Sequence, residues 1–443
     1  MVKFSLVIVL IEHRFLLTNL SSVNKSFDAD VIVIGAGLAG LRCAQVLTAN
    51  NLSVLLIESN DYVGGRLRSF AVDGYIIDQG FQLINPSYPE LIQSGVLKEF
   101  DLRTYDPGIE FRENDSRFTL SDPRAGALAS LQGIRKSSLP FRDILRIGKV
   151  LAGSYLSPAR QLMQREDTDT FHGLRAAGIS ENTIRTFFQP FLRGTFLDDE
   201  LATSWNYARL ILKSFAKASP GTHPEGIQAL PQAFARDLPL SSVLLNTKVT
   251  RISENKVSST NGDFSARAIV LATDGSSAAQ LLPSTPPQWR SQTTWWWSAP
   301  KQTDSSALRI DLSDRLLCSA LDISSRAPER SPKDCSLIAT PMIGNQPTLE
   351  LEQRARASVA HLYEINVEQV QLITTTIVEK ALPALAPPFA PKFVNKNGTV
   401  FCAGDYLESP SIQGALHSGA KSAHAVRAAL HSSHRSAMFD DPA

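Results

Sequence analysis

The segment that most limits what this chain can fold into is residues 31–58. Val31 to Ile34 is a short β-branched run, Gly35-Ala36-Gly37-Leu38-Ala39-Gly40 follows at once, and a helix-like stretch then runs to about Asn50. Val54 to Ile57 supplies a second strand, which Glu58 closes 23 residues beyond Gly35. Strand, glycine turn, helix, strand and acid in this order specify a dinucleotide-binding unit. Gly35 permits the tight turn, Gly37 lets the backbone approach a pyrophosphate, and Gly40 lets the helix pack closely on the sheet. Leu38 and Ala39 open the helix, whose amino end carries unpaired N–H donors suited to phosphate. Glu58 can accept from both hydroxyls of an adenosine ribose, and its charge disfavours a 2′-phosphate, so NADP is the poorer fit. The unit by itself leaves FAD and NAD open.

The rest of the chain has room for a second domain, since 443 residues exceed a typical ~150-residue domain about threefold. A formal net charge of +1 argues against sequence-independent nucleic-acid binding, which needs concentrated positive charge. Cys43, Cys318, Cys335 and Cys402 lie far apart, without a CxxC pair or a Cys/His ligand series, and read as reduced cysteines of an intracellular, cytoplasmic protein. No histidine falls in HExxH, so no metal site is expected.

At the amino terminus, Phe4 to Ile11 is an apolar run ended by Glu12, His13 and Arg14, too short to span a bilayer. Residues 1–27 read as a leader or extension, with a peripheral helix, organellar (plastid) targeting and secretion all open; peripheral membrane contact stays open with them.

Gly64-Gly65-Arg66 after the second strand resembles the GGR element of flavin amine oxidases, protoporphyrinogen oxidases and phytoene-desaturase-like proteins. The resemblance implies FAD, with this loop near the diphosphate and Arg66 supplying positive charge. Gly74 to Phe81 is similar to the family segment that sets backbone, here Gly80 and Phe81, beside the cofactor; Asp78 either organises that segment or is a solvated turn residue. Asn246 to Val249 resembles the strand whose valine backbone, here Val249, reaches adenine. Phe401 to Asp405 resembles the late FAD motif, in which Gly404 and Asp405 meet the ribityl and diphosphate. Ser411, Ile412, Gly414 and Ala415 begin a final helix whose amino end, in that family, points at the flavin. The likeness extends from about residue 28 to 432, and its wording in Asp78 to Gln82 and Phe187 to Gly194 is nearest a bacterial and plastid-type NAD(P)/FAD-dependent oxidoreductase branch.

The expected fold class is therefore α/β, with a Rossmann-like FAD-binding domain and a discontinuous α+β substrate domain of amine-oxidase-like form. Residues 28–84, 225–290 and 390–435 form the first; 85–224, mostly helical, and 291–389, sheet-forming, form the second; 436–443 is a tail. Asn261-Gly262 marks a hairpin between Lys256–Thr260 and Asp263–Ala268. Trp295-Trp296-Trp297 lies in the second domain, where alternation lets some indoles, never all three, face a cavity.

A bound flavin accepts a hydride equivalent without a side-chain nucleophile. Gln82, Arg193 and His417 are the catalytic candidates, and no lysine, Lys301 included, matches the water-positioning lysine common in amine oxidases of this fold. No flavinylated-cysteine motif is present, so FAD is expected to be noncovalent. The main expectation is dehydrogenation or isomerisation of a hydrophobic small molecule such as an isoprenoid or polyene, with oxygen or a quinone as acceptor. Oxidation of a C–N bond to an imine is one alternative, and a non-catalytic FAD-binding protein is another.

Overall fold

The structure is a computed structural model that describes residues 27–113, 116–121, 139–302 and 306–439. Phe4 to Ile11, most of the leader and the last four residues lie outside them.

The strand Ala29–Ile34 is buried on both faces, as its unbroken apolar sequence requires of a central parallel strand. It pairs in parallel with Val54–Ile57 on one side and Gly262–Leu271 on the other. Val243–Leu244 extends the sheet beyond Val54–Ile57, and Val400–Cys402 extends it beyond Gly262–Leu271. One face is covered by the helices Leu38–Thr48, Ala229–Arg236 and Ile412–Phe439, which share a core with Val31, Val33 and Val270. An antiparallel meander, Val249–Ser253, Lys256–Ser259 and the start of Gly262–Leu271, serves the other face, where Val249 and Val257 meet Ile32 and Ile269. The turn at Asn261-Gly262 sits where the sequence places it. Asn246 to Val249 is not one strand, however. Asn246 has φ +53°, and the amides of Asn246 and Thr247 bond to the carbonyls of Asn60 and Glu58, so the chain turns before re-entering a strand at Val249.

The second unit is built on an antiparallel sheet in the order Leu321–Asp322, Cys335–Ile343, Trp289–Pro300, Gln371–Pro383. Trp295 and Trp297 pack with Ala355 and Val359 of the helix Leu349–Tyr363. Trp296 faces the opposite way, against Tyr75 and Ile77 of the hairpin Ser69–Val72/Tyr75–Asp78. All three indoles are fully buried, and those of Trp296 and Trp297 donate to Thr376 and Thr340 at 3.1 and 2.8 Å. They are sheet core, and none lines the cavity described below.

The described residues of 85–224 are not all helical: Gly108–Glu113 and Ser116–Ser121 form a three-stranded sheet with Leu308–Asp311. The other described residues of this stretch include a helical layer with Phe141–Leu156 and Trp205–Lys217. Between Thr183 and Gln189 the helix widens to a π turn over Ile184–Phe188. Pro190, which lacks an N–H and crowds the carbonyl four residues back, supplies the reason.

Candidate active site

The carboxyl end of the strand Ala29–Ile34 opens into a cavity of about 1630 Å³, above the ~300–1,000 Å³ of ordinary small-ligand sites and large enough for more than one ligand. Gly35, Gly37, Leu38 and Ala39 form its floor. A Cβ on Gly40 would stand 1.9 Å from the Gly35 carbonyl, so this helix can seat only on glycine; Gly40 lies behind the wall. A Cβ on Gly37 would meet nothing within 4 Å, because it would project into the open cavity. Glu58, nearly buried, accepts from the Ala36 amide at 2.8 Å with one oxygen and from the Asn60 amide and side chain at 2.9 and 2.7 Å with the other. These bonds fix the carboxylate in the lining beside Val249, Thr247 and Lys248.

The late segment closes the same space from above. Gly404, Asp405, Ser411, Ile412 and Ala415 line it together with Gly64, Gly65 and Arg66. Arg66 pairs with Asp405 at 2.7 Å, donates to the Ala381 carbonyl at 2.8 Å and lies over the Trp289 ring. The Ser411 hydroxyl accepts from the Gly414 amide at 3.0 Å, ordering the first turn of the final helix. Gly414 itself packs on Ser409, outside the lining. Gly80 is likewise outside it, wedged against Gln292 and Val378, whereas Phe81 reaches the cavity. Asp78 is no solvated turn residue: it is buried, accepts from Ser69 and the Ile227 amide at 2.7 and 3.0 Å, and pairs with fully buried Arg330 at 3.0 Å.

Beyond Arg66 the cavity continues as an apolar arm between the helical layer and the second sheet. Phe111, Phe187, Phe188, Phe191, Phe215 and Ile211 are among its walls, and the π turn is what swings Phe187 and Phe188 toward it. Tyr88, Tyr207 and Cys318 also reach it. Burial pushes Tyr88 up to about 12 and Tyr207 well above its ordinary value, and it raises the Cys318 thiol to about 11, so all three are neutral at pH 7. At the junction of the two arms, Asp274 is held below its ordinary value: burial pushes it up, but bonds from Ser277 and the charge of Lys380 outweigh that.

Of the three catalytic candidates, only Gln82 faces the cavity, its amide 3.4 Å from the Arg66 carbonyl. Arg193 is buried outside the lining, where it binds Asp199 at 2.6 Å and the carbonyls of Arg315 and Leu317. His417 lies on the outer side of the final helix, its side chain half exposed and 3.2 Å from Glu90. Neither side chain lines the cavity, so the structure does not bring them together with Gln82. The sequence reading missed Gln292, whose Oε1 accepts from the Phe81 amide at 2.9 Å beside the junction, and the pair Lys380–Asp274 at 3.4 Å. No spacing pattern marks residues that only sheet pairing brings there. Among the described residues no cluster of His, Cys, Asp or Glu could hold a metal, and the four cysteines are free thiols.

These walls fit an adenine dinucleotide: a glycine floor with open space above Gly37, a helix amino end, and a fixed carboxylate on the far side. Comparison with known proteins agrees. The "Flavin containing amine oxidoreductase" family matches residues 38–427. Putrescine oxidase of Kocuria rosea is 38% identical over 97 residues, covering 22% of this chain and 19% of that protein. L-amino acid dehydrogenase of Synechocystis sp. is 26% identical over 298 residues, 61% of each chain. The chain thus matches less than two thirds of either relative's length. The crystal structure of cyclohexylamine oxidase from Brevibacterium oxydans superposes with a TM-score of 0.68 over 91% of this chain and all of the other, at 19% identity, which shows the fold. These likenesses reach the superfamily and do not single out one branch of it. The chain belongs to the flavin-containing amine oxidoreductase family, with FAD as its cofactor.

Proposed function

We propose that this FAD-dependent oxidoreductase oxidises a C–N bond of a hydrophobic amine. The observation that carries the reading is one continuous cavity, with a glycine-floored nucleotide arm at one end and an aromatic-walled arm at the other. FAD, when bound, supplies a two-electron acceptor for a hydride equivalent. The amine carbon loses hydrogen with its electron pair, nitrogen loses a proton, and water hydrolyses the resulting imine to a carbonyl compound and ammonia, or an amine where the nitrogen is substituted. The aromatic walls favour the neutral amine, the form that can be oxidised, and exclude water from the reacting carbon. In this reading Gly35, Gly37, Leu38, Ala39, Gly64, Gly65 and Arg66 hold the diphosphate, Glu58 the ribose, Val249 the adenine, and Gly404, Asp405, Ser411, Ile412 and Ala415 the flavin side. Gln82 orients substrate or water at the junction, and oxygen or a quinone takes the electrons. Relatives named for putrescine and cyclohexylamine favour amine chemistry over carbon–carbon chemistry.

A second reading, dehydrogenation or isomerisation of a polyene, is favoured by the same aromatic walls. Anaerobic mixing of FAD-loaded protein with a series of hydrophobic amines and with polyenes separates them. Amine-dependent bleaching of the flavin, with release of an aldehyde or ketone, is expected. Bleaching or isomerisation with polyenes alone would overturn the C–N assignment, and no response to either class would favour a binding protein.

A further inference from the structure

The helix Phe141–Leu156 has 16 residues and four distinct sides. Its inner side is fixed to the protein: buried Asp143 accepts from Thr183 at 2.6 Å, and Arg146 donates to the Gly178 carbonyl. At the carboxyl end, Lys213 donates to the Ser157 carbonyl at 2.8 Å. The next side, Ile144, Ile147, Leu151 and Tyr155, lines the apolar arm. Adjoining it, at helical spacing, Phe141, Leu145 and Leu156 are 74, 60 and 77% exposed. Leu151 and Tyr155, themselves 38 and 48% exposed, join the cavity to that outer stripe without a polar break. Arg142 and Lys149 follow on the far flank, both exposed, while the acid of this helix, Asp143, is turned inward. Monomer surfaces rarely leave such an apolar stripe open to water, and a stripe flanked by cations is suited to the headgroup boundary of a bilayer. Among the described residues no helix is long and apolar enough to cross a membrane, so the helix would lie in the surface.

We infer that Phe141–Leu156 docks the protein on an anionic lipid surface, with Phe141, Leu145 and Leu156 in the acyl boundary, Arg142 and Lys149 on the headgroups, and the cavity mouth facing the lipid. Arrival of substrate from the lipid phase rests on the apolar-substrate reading above; the docking itself does not, because it is read without turnover. A failure of vesicle binding leaves the amine assignment standing, and a failure of flavin bleaching leaves the docking standing.

The test is co-sedimentation of full-length, FAD-loaded protein with vesicles of phosphatidylcholine alone and of phosphatidylcholine mixed with phosphatidylglycerol. The protein is expected to pellet with the anionic vesicles, less with the neutral ones, and to be released by high salt. Leu145→Ser/Leu156→Ser and Arg142→Glu/Lys149→Glu are each expected to weaken partitioning by at least roughly tenfold, with flavin content and unfolding temperature unchanged. Failure of the wild type to bind either vesicle overturns the proposal. Equal binding by both double variants also overturns it, since attachment would then lie elsewhere, as in residues 1–26. So does a wild-type dimer that ignores vesicles and that Leu145→Ser/Leu156→Ser dissociates, because a second copy would then cover the stripe.

Discussion

The nucleotide arm of the cavity is floored by glycines, Gly35, Gly37, Gly64 and Gly65, whereas the apolar arm is walled by aromatic side chains, and this sets what each tolerates. At Gly37 and Gly40 what matters is where a backbone atom can go: a Cβ on one would enter the cavity, and on the other would strike a carbonyl. Along Phe187, Phe188 and Phe191 what matters is the volume and apolarity of side chains delivered from several elements. The first arm should fail abruptly on one substitution, the second gradually.

The largest effect is expected from Gly37→Glu. The new side chain has room in the folded protein but places a carboxylate where a diphosphate would lie, so FAD affinity should fall at least roughly 100-fold, or about 2.7 kcal/mol. Flavin titration followed by visible absorbance measures this, with circular dichroism confirming that the apoprotein is folded. Unchanged affinity would break the claim that this arm is built by close backbone approach.

Phe191→Ala sharpens the other side. Its ring lies 5.7 Å from that of Phe215 in the apolar arm, and its loss should raise KM for an apolar substrate about tenfold while leaving FAD affinity alone. Phe191→Leu should restore most of the loss. If leucine is as damaging as alanine, the arm reads shape rather than volume, and the contrast with the nucleotide arm weakens.

The smallest effect concerns the outer side of the final helix. The hydrogen bond to Glu90 raises the pKa of His417 against the opposing effect of burial. For Glu90, burial pushes upward, but the bonds and charges of His417 and Arg42 bring it below its ordinary value. Because the folded pKa of His417 is raised, its stabilising contribution is fully present below the unfolded value of about 6.5 and is lost as pH rises through the folded value. It fades again in acid, once Glu90 is protonated. His417→Ala should therefore cost under ~1 kcal/mol near pH 6 and almost nothing in mildly alkaline solution, given the half-exposed side chain. Urea unfolding at several pH values checks this; a change in FAD affinity would instead return His417 to the site.

Elements whose signal is local were legible. The strand at Val31, the glycine turn, Glu58 and the helix beginning at Ile412 stand where the sequence puts them, because each depends on neighbours a few residues away. The strand expected over Asn246 to Val249 failed because its amides answer to carbonyls of Glu58 and Asn60, nearly two hundred residues earlier. Arg193 and His417 looked like site residues only because isolated polar side chains near family motifs carry no information about which way they face.

The sequence by itself determined that a dinucleotide would be held, and through resemblance that it is FAD, since a glycine floor and an acid at fixed spacing are demands of backbone geometry written in consecutive residues. Only the tertiary structure decided that Trp295, Trp296 and Trp297 are sheet core, that Phe187 and Phe188 reach a cavity through a π turn, and that Phe141–Leu156 carries an apolar stripe outward from its mouth. Packing direction is settled by what lies across from a side chain, and in this chain those partners come from distant segments.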